Sequence, residues 1–157
     1  MRHTDWVPRL RDAIETHAEA PFAWGIFDCS LAAGTLARAL GDRDPAAPFA
    51  PTARGPRYKT PHGALGIQRR YLGRRLAAGE SLLEAVAEKR AAELGLAEVA
   101  PGYAQRGDLV LAQAETEDGF EDVLAVVDLS GRGLITAARG AGWARLPLAA
   151  GRRAWRI

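Results

Sequence analysis

The sequence predicts an α+β domain, and three observations carry that prediction. Apolar residues recur at helical spacing as far as Gly95, short runs of strand formers follow Pro101-Gly102, and glycine-bearing turns punctuate those runs. Helices followed by a meander of strands bury their apolar stripes against one sheet. At 157 residues, with 48% hydrophobic and 25% charged side chains, the chain suits a single soluble domain over 1–157 with a substantial core.

Each element has a local reason. Thr4 or Asp5 is placed to cap a first helix within residues 1–20, where Trp6 or Val7, Leu10 and Ile14 share a face and Pro8 falls in the tolerated first turn. A second helix is predicted over 28–40, capped by Asp28 and kept slim by Ala32, Ala33 and Gly34, with Gly41 as its C-terminal cap. Residues 42–59 hold Pro45, Pro48, Pro51 and Pro56 and predict a long loop. Thr60-Pro61 opens a third helix ending at Gly73, and the Ser81-Leu82-Leu83-Glu84 capping box opens a fourth ending at Gly95. Strands are predicted at 109–111, 123–127, 134–137, 143–146 and 153–157, with a hairpin connection at Ser130-Gly131-Arg132-Gly133.

Composition narrows the functional classes. The pI of 9.0 rests on a formal net charge of only +2, and every basic residue except Lys59 and Lys89 is arginine. No zinc finger, basic heptad or aromatic-studded basic strand is present, so no nucleic-acid partner is expected. One cysteine excludes an internal disulfide framework and a multi-cysteine zinc site. The acidic stretch Glu115, Glu117, Asp118, Glu121 and Asp122 lacks the order of a calcium loop and predicts a solvated hairpin tip. No metal and no cofactor is therefore expected. The amino terminus lacks the apolar core of a secretion signal and no apolar run reaches about 18 residues, which predicts cytoplasmic synthesis and no membrane span.

The chemistry concentrates at Trp24-Gly25-Ile26-Phe27-Asp28-Cys29-Ser30, where the only cysteine stands at a predicted helix start. Unpaired N–H groups and the positive end of the helix dipole favour thiolate there, whereas the adjacent Asp28 carboxylate opposes it. A second base or cation would be needed for strong activation. Arg54, Arg57, Tyr58 and Lys59 in the long loop offer a surface for an anionic or sugar-bearing partner.

The Trp-Gly…Asp-Cys-Ser segment and its Ala/Leu-rich helix resemble the nucleophile segment of NlpC-type cell-wall peptidases, which are papain-like cysteine hydrolases. Gln105-Arg106-Gly107-Asp108-Leu109-Val110-Leu111 resembles that family's approach to its sheet. Over residues 22–157 the order of elements, including Arg54-Gly55-Pro56-Arg57-Tyr58, Gly63-Ala64 and Ala154-Trp155-Arg156, is similar to small phage and prophage proteins related to those peptidases. The resemblance implies a papain-like domain with Cys29 as nucleophile at a helix start, packed on a C-terminal antiparallel sheet. It also implies Trp24, Asp28 and Ser30 as substrate contacts, a peptidoglycan peptide or phage tail protein as partner, and a place in the virion.

The sequence departs from that family where its histidine should stand. The corresponding run is Val123-Leu124-Ala125-Val126-Val127, so Val123, or Asp122 with a shift of one, replaces the imidazole, and Thr136 falls near the third polar position. Histidine supplies both proton acceptance and leaving-group protonation, worth about 100- to 10,000-fold, and valine supplies neither. His62 and Asp122 are the candidate substitutes; His17 and His3 fit a helix edge and the terminus. Two functions are consistent with this pattern: a peptidoglycan amidase or endopeptidase using Cys29 and an unconventional base, and a catalytically inactive papain-like binding or structural module such as a phage tail component.

Overall fold

The computed structural model describes residues 1–157 as four α-helices and one six-stranded antiparallel sheet. The helices are α1 Trp6–Thr16, α2 Cys29–Leu40, α3 Pro61–Leu72 and α4 Leu82–Glu93. The strands are β1 Ala97–Val99, β2 Leu109–Thr116, β3 Gly119–Val127, β4 Gly133–Ala137, β5 Trp143–Pro147 and β6 Gly151–Arg156, in the spatial order β1-β6-β2-β3-β4-β5. No helix is long and apolar enough to cross a membrane.

Three of the four helix starts follow their local chemistry. Asp28 accepts from the N–H groups of Ser30 and Leu31, Thr60 from that of Gly63, and Ser81 from that of Glu84. At Ser81 only half of the capping box forms, because the Glu84 carboxylate is drawn to Arg152 and Arg153 of β6. The first helix differs more. It is shorter than the 1–20 span, and Asp5 makes no capping bond because its carboxylate pairs with Arg9 one turn on, at 2.8 Å.

Gly41 also departs from expectation, since its backbone is extended rather than left-handed. A side chain is excluded there for another reason: a Cβ would lie 2.7 Å from the Met1 carbonyl oxygen. Gly34 keeps α2 slim as expected, with room for no Cβ against Ala46.

The sheet buries both faces. On one, Leu109, Leu111, Leu124, Val126 and Trp155 pack against Leu10 of α1 and Leu36 and Leu40 of α2. Each fully buried leucine contributes about 1.5–3 kcal/mol. On the other, Val110, Val123, Ala125, Val127 and Leu134 form a second apolar cluster. The β2–β3 hairpin is longer than predicted, so Glu117 and Asp118 form its tip while Glu115, Glu121 and Asp122 lie in strands. Strand β1 was not anticipated; three residues carry too little periodicity to be read, and it exists because β6 supplies its hydrogen-bonding partner.

The chain ends are joined by one side chain. The Arg2 guanidinium donates to the Ile157 carbonyl at 2.8 Å, the Arg106 carbonyl at 2.7 Å and the Asp108 carboxylate at 2.6 Å. Asp108 is fully buried and also accepts the Gln105 N–H. The Arg-Gly-Asp segment therefore works as a clamp that sets the start of β2.

Candidate functional site

Cys29 opens α2 and lines a cleft of about 320 Å³. The walls come from Trp24 and Asp28 before the helix, Tyr58 in the long loop, Ala64, Leu65 and Gln68 of α3, Leu82 and Leu83 of α4, and Glu121 and Asp122 of β3. The start of α2 is held by a dense set of bonds to one carboxylate. Asp28, 1% exposed, accepts from Gly25 N–H at 2.9 Å, from Ser30 and Leu31 N–H at 3.1 Å each, and from the Tyr58 hydroxyl at 2.7 Å. All its acceptor capacity is spent on the fold. Gly25 is required here, because its φ is +75° and a Cβ would lie 2.0 Å from the Tyr58 carbonyl oxygen.

The electrostatics disfavour thiolate. Burial pushes the Cys29 thiol up to about 11, and the charges of Asp28 and Glu121 push the same way. A hydrogen bond from the Leu124 backbone and one from the Ser30 hydroxyl oppose the shift without cancelling it. The half-buried sulfur packs against the apolar cluster that contains Val123. No imidazole lines the cleft, and its one cation, Arg139, is committed to Glu121 through contacts of 2.6 and 2.8 Å.

The candidate residues fall into two groups. Cys29, Asp122, Trp24, Asp28, Ser30 and Tyr58 come together at the cleft. Asp122 is held by Arg152 at 3.0 Å and by the Ser81 hydroxyl. His62 is exposed near the start of α3 and does not line the cleft, which α3 faces with Pro61, Ala64, Leu65 and Gln68. Thr136 is buried and donates its hydroxyl to the Leu124 carbonyl at 2.7 Å. Arg54 and Arg57 lie outside the cleft in the long loop. His17 donates its Nδ1–H to the Ala13 carbonyl at 2.9 Å and stacks on Phe27, so it belongs to the packing of α1.

Sequence reasoning missed Gln68, Ser81, Glu121 and Arg139 as lining residues. Ser81 carried a signal, its capping box, which speaks of a helix start and not of a cleft. Arg139 carried none; it follows β4 in the turn before β5.

Strand β3, which lines the cleft with Glu121 and Asp122, is also incompletely paired on one edge. Asp128 N–H donates to Gly133 on the β4 side while Val127 N–H donates to Asp108 on the β2 side, so the even-numbered residues of β3 direct their peptide groups away from β2. Strand β4 pairs only with Val126 and Val127. The peptide groups of Phe120 and Asp122 therefore have no strand partner, and this free edge leads to Cys29 beside Leu124.

A family model described as "Domain of unknown function (DUF6950)" matches residues 1–157. The chain belongs to this family. No curated protein and no solved structure matches the DUF6950 chain. The DUF6950 domain holds no group of three or more His, Cys, Asp or Glu side chains placed to bind a metal ion.

Proposed function

We propose that this DUF6950 protein is a peptide-binding module with an NlpC-related, papain-like shell that holds an extended peptide in the Cys29 cleft without cleaving it. The observation that carries this reading is the thiol: it is pushed up to about 11 by burial and carboxylates, and no imidazole stands in the cleft to take its proton. At neutral pH such a sulfur is almost wholly protonated and a poor nucleophile. The free β3 edge at Phe120 and Asp122 offers main-chain pairing to an extended segment, and Trp24, Leu65, Leu82 and Leu83 offer apolar walls for its side chains. The occupant implied by the family resemblance is a peptidoglycan stem peptide, met by the protein as part of a phage particle.

A hydrolase remains the second reading because Cys29 opens a helix in the same cleft as Asp122. Titration calorimetry with a muropeptide, followed by mass analysis of the mixture, separates the two. Saturable binding that is weakened by Trp24→Ala and leaves the peptide intact supports the binding module. Cleavage that vanishes in Cys29→Ala overturns it in favour of the hydrolase, and absence of binding overturns it outright.

A further inference from the structure

Helix α3 has a second functional-looking face. Pro61, Ala64, Leu65 and Gln68 face the Cys29 cleft, whereas Ile67, Arg70 and Tyr71 line a separate hollow of about 460 Å³ with Pro48, Thr52 and Arg57 of the long loop. The charged groups that line the hollow, Arg57 and Arg70, are both cations, and the sequence segment that supplies them is one-sided as well. Residues 45–79 carry seven basic side chains and no acidic one, against 14 basic and 19 acidic elsewhere. Of the seven, only Arg74 is in an ion pair, with Glu80. A local excess of cations on a chain of net charge +2 is an anion-attracting field that the overall composition conceals.

Within the hollow the guanidinium groups are available and one is oriented. Arg57 donates its Nε to the Ala50 carbonyl at 3.0 Å, which holds the plane of the group and leaves its terminal nitrogens without partners. Arg70 makes no hydrogen bond or ion pair within the protein and lies exposed on α3. The carboxylate bonded to the lining, Glu93, accepts the Tyr71 hydroxyl and is compensated by Lys89 at 2.9 Å and Arg90 at 2.6 Å. Two unpaired guanidinium groups from different elements suit a tetrahedral, multiply charged oxyanion, which offers several acceptors at once. Pro48 and Ile67 add apolar wall beside them.

We propose that this hollow binds a small phosphate ester, with Arg57 and Arg70 on the phosphate and the organic part against Pro48 and Ile67. The site lies on the other side of α3 from the Cys29 cleft and does not depend on the peptide-binding reading. The test is calorimetric titration of the full chain with inorganic phosphate and with ribose 5-phosphate at low ionic strength. One saturable site is expected, tighter for ribose 5-phosphate. Arg70→Glu and Arg57→Gln should each weaken it by about tenfold or more, while Arg132→Ala, an exposed arginine outside the hollow, should leave it unchanged. The proposal is overturned by the absence of saturable binding, by equal losses in Arg132→Ala, or by binding only of a long polyanion such as single-stranded DNA.

Discussion

The Tyr58 hydroxyl donates a 2.7 Å hydrogen bond to Asp28, the residue immediately before the only cysteine, across a sequence separation of 30 residues. This bond fastens the long loop to the start of α2 and completes the set of four donors on the Asp28 carboxylate. Burial and the Asp28 charge together push ionisation of the phenol far upward, so it remains a donor. Asp28 therefore builds the cleft. Asp28→Ala should cost about 2–4 kcal/mol, the sum of a lost cap and orphaned donors, whereas Tyr58→Phe should cost about 1–2 kcal/mol. Urea unfolding measures both; a loss below about 0.5 kcal/mol for Asp28→Ala would refute this role.

Gly25 and Gly79 separate backbone strain from collision. Both have positive φ, +75° and +77°, but a Cβ on Gly25 would meet the Tyr58 carbonyl oxygen whereas one on Gly79 would meet nothing. Gly79→Ala should cost about 1 kcal/mol from conformation alone. Gly25→Ala should cost at least about 2 kcal/mol more and expose the cleft. Equal losses in thermal or urea unfolding would contradict the close approach seen at Tyr58.

The state of Cys29 is readable by alkylation. With the thiol at about 11 in the folded protein against an ordinary value of 9.0, iodoacetamide should react about 100-fold more slowly at pH 7.5 than with the unfolded chain. The folded rate should go on rising beyond pH 9. A plateau below pH 8, read by intact mass, would reveal an activated thiolate and refute the assigned electrostatics.

The same shift links pH to stability. Folding disfavours the thiolate, so the unfolded chain loses this proton first and the folded state loses stability as pH rises between about 9 and 11; below pH 9 the contribution is fully present. Cys29→Ser should flatten part of that alkaline decline. The remainder belongs to groups such as Tyr58, whose ionisation is also displaced upward. An unchanged pH profile in Cys29→Ser, measured by urea unfolding at pH 8 to 11, would remove the sulfur from this linkage.

Arg2 is expected to matter for stability far more than a terminal arginine usually does. Arg2→Ala leaves the buried Asp108 carboxylate without its cation and breaks the bridge to Arg106 and Ile157. The expected loss is about 3–5 kcal/mol. Arg9→Ala removes only an exposed pair with Asp5 and should cost below about 1 kcal/mol. Comparable losses in the two variants would refute the clamp.

What the amino-acid sequence determined by itself was whatever depends on neighbours three or four positions away. The caps at Asp28, Thr60 and Ser81 are bonds to N–H groups two or three residues on, and the apolar spacing of α2 and the runs in β2 and β3 show which faces must be buried. The α+β class follows from those local rules. The cluster around Cys29 was legible for the same reason, since Trp24, Asp28 and Ser30 are its near neighbours.

Tertiary structure decided the rest, because the partners involved are distant and unmarked. Asp5 prefers Arg9 to a helix cap, and Glu84 prefers two arginines of β6 to its own capping box. Only folding brings Ser81 and Arg152 onto Asp122, places β6 between β1 and β2, and leaves the outer edge of β3 open. The chemistry of Cys29 belongs to this second group: a helix start suggests a lowered thiol, but burial in the folded chain and the charges of Asp28 and Glu121 push it up.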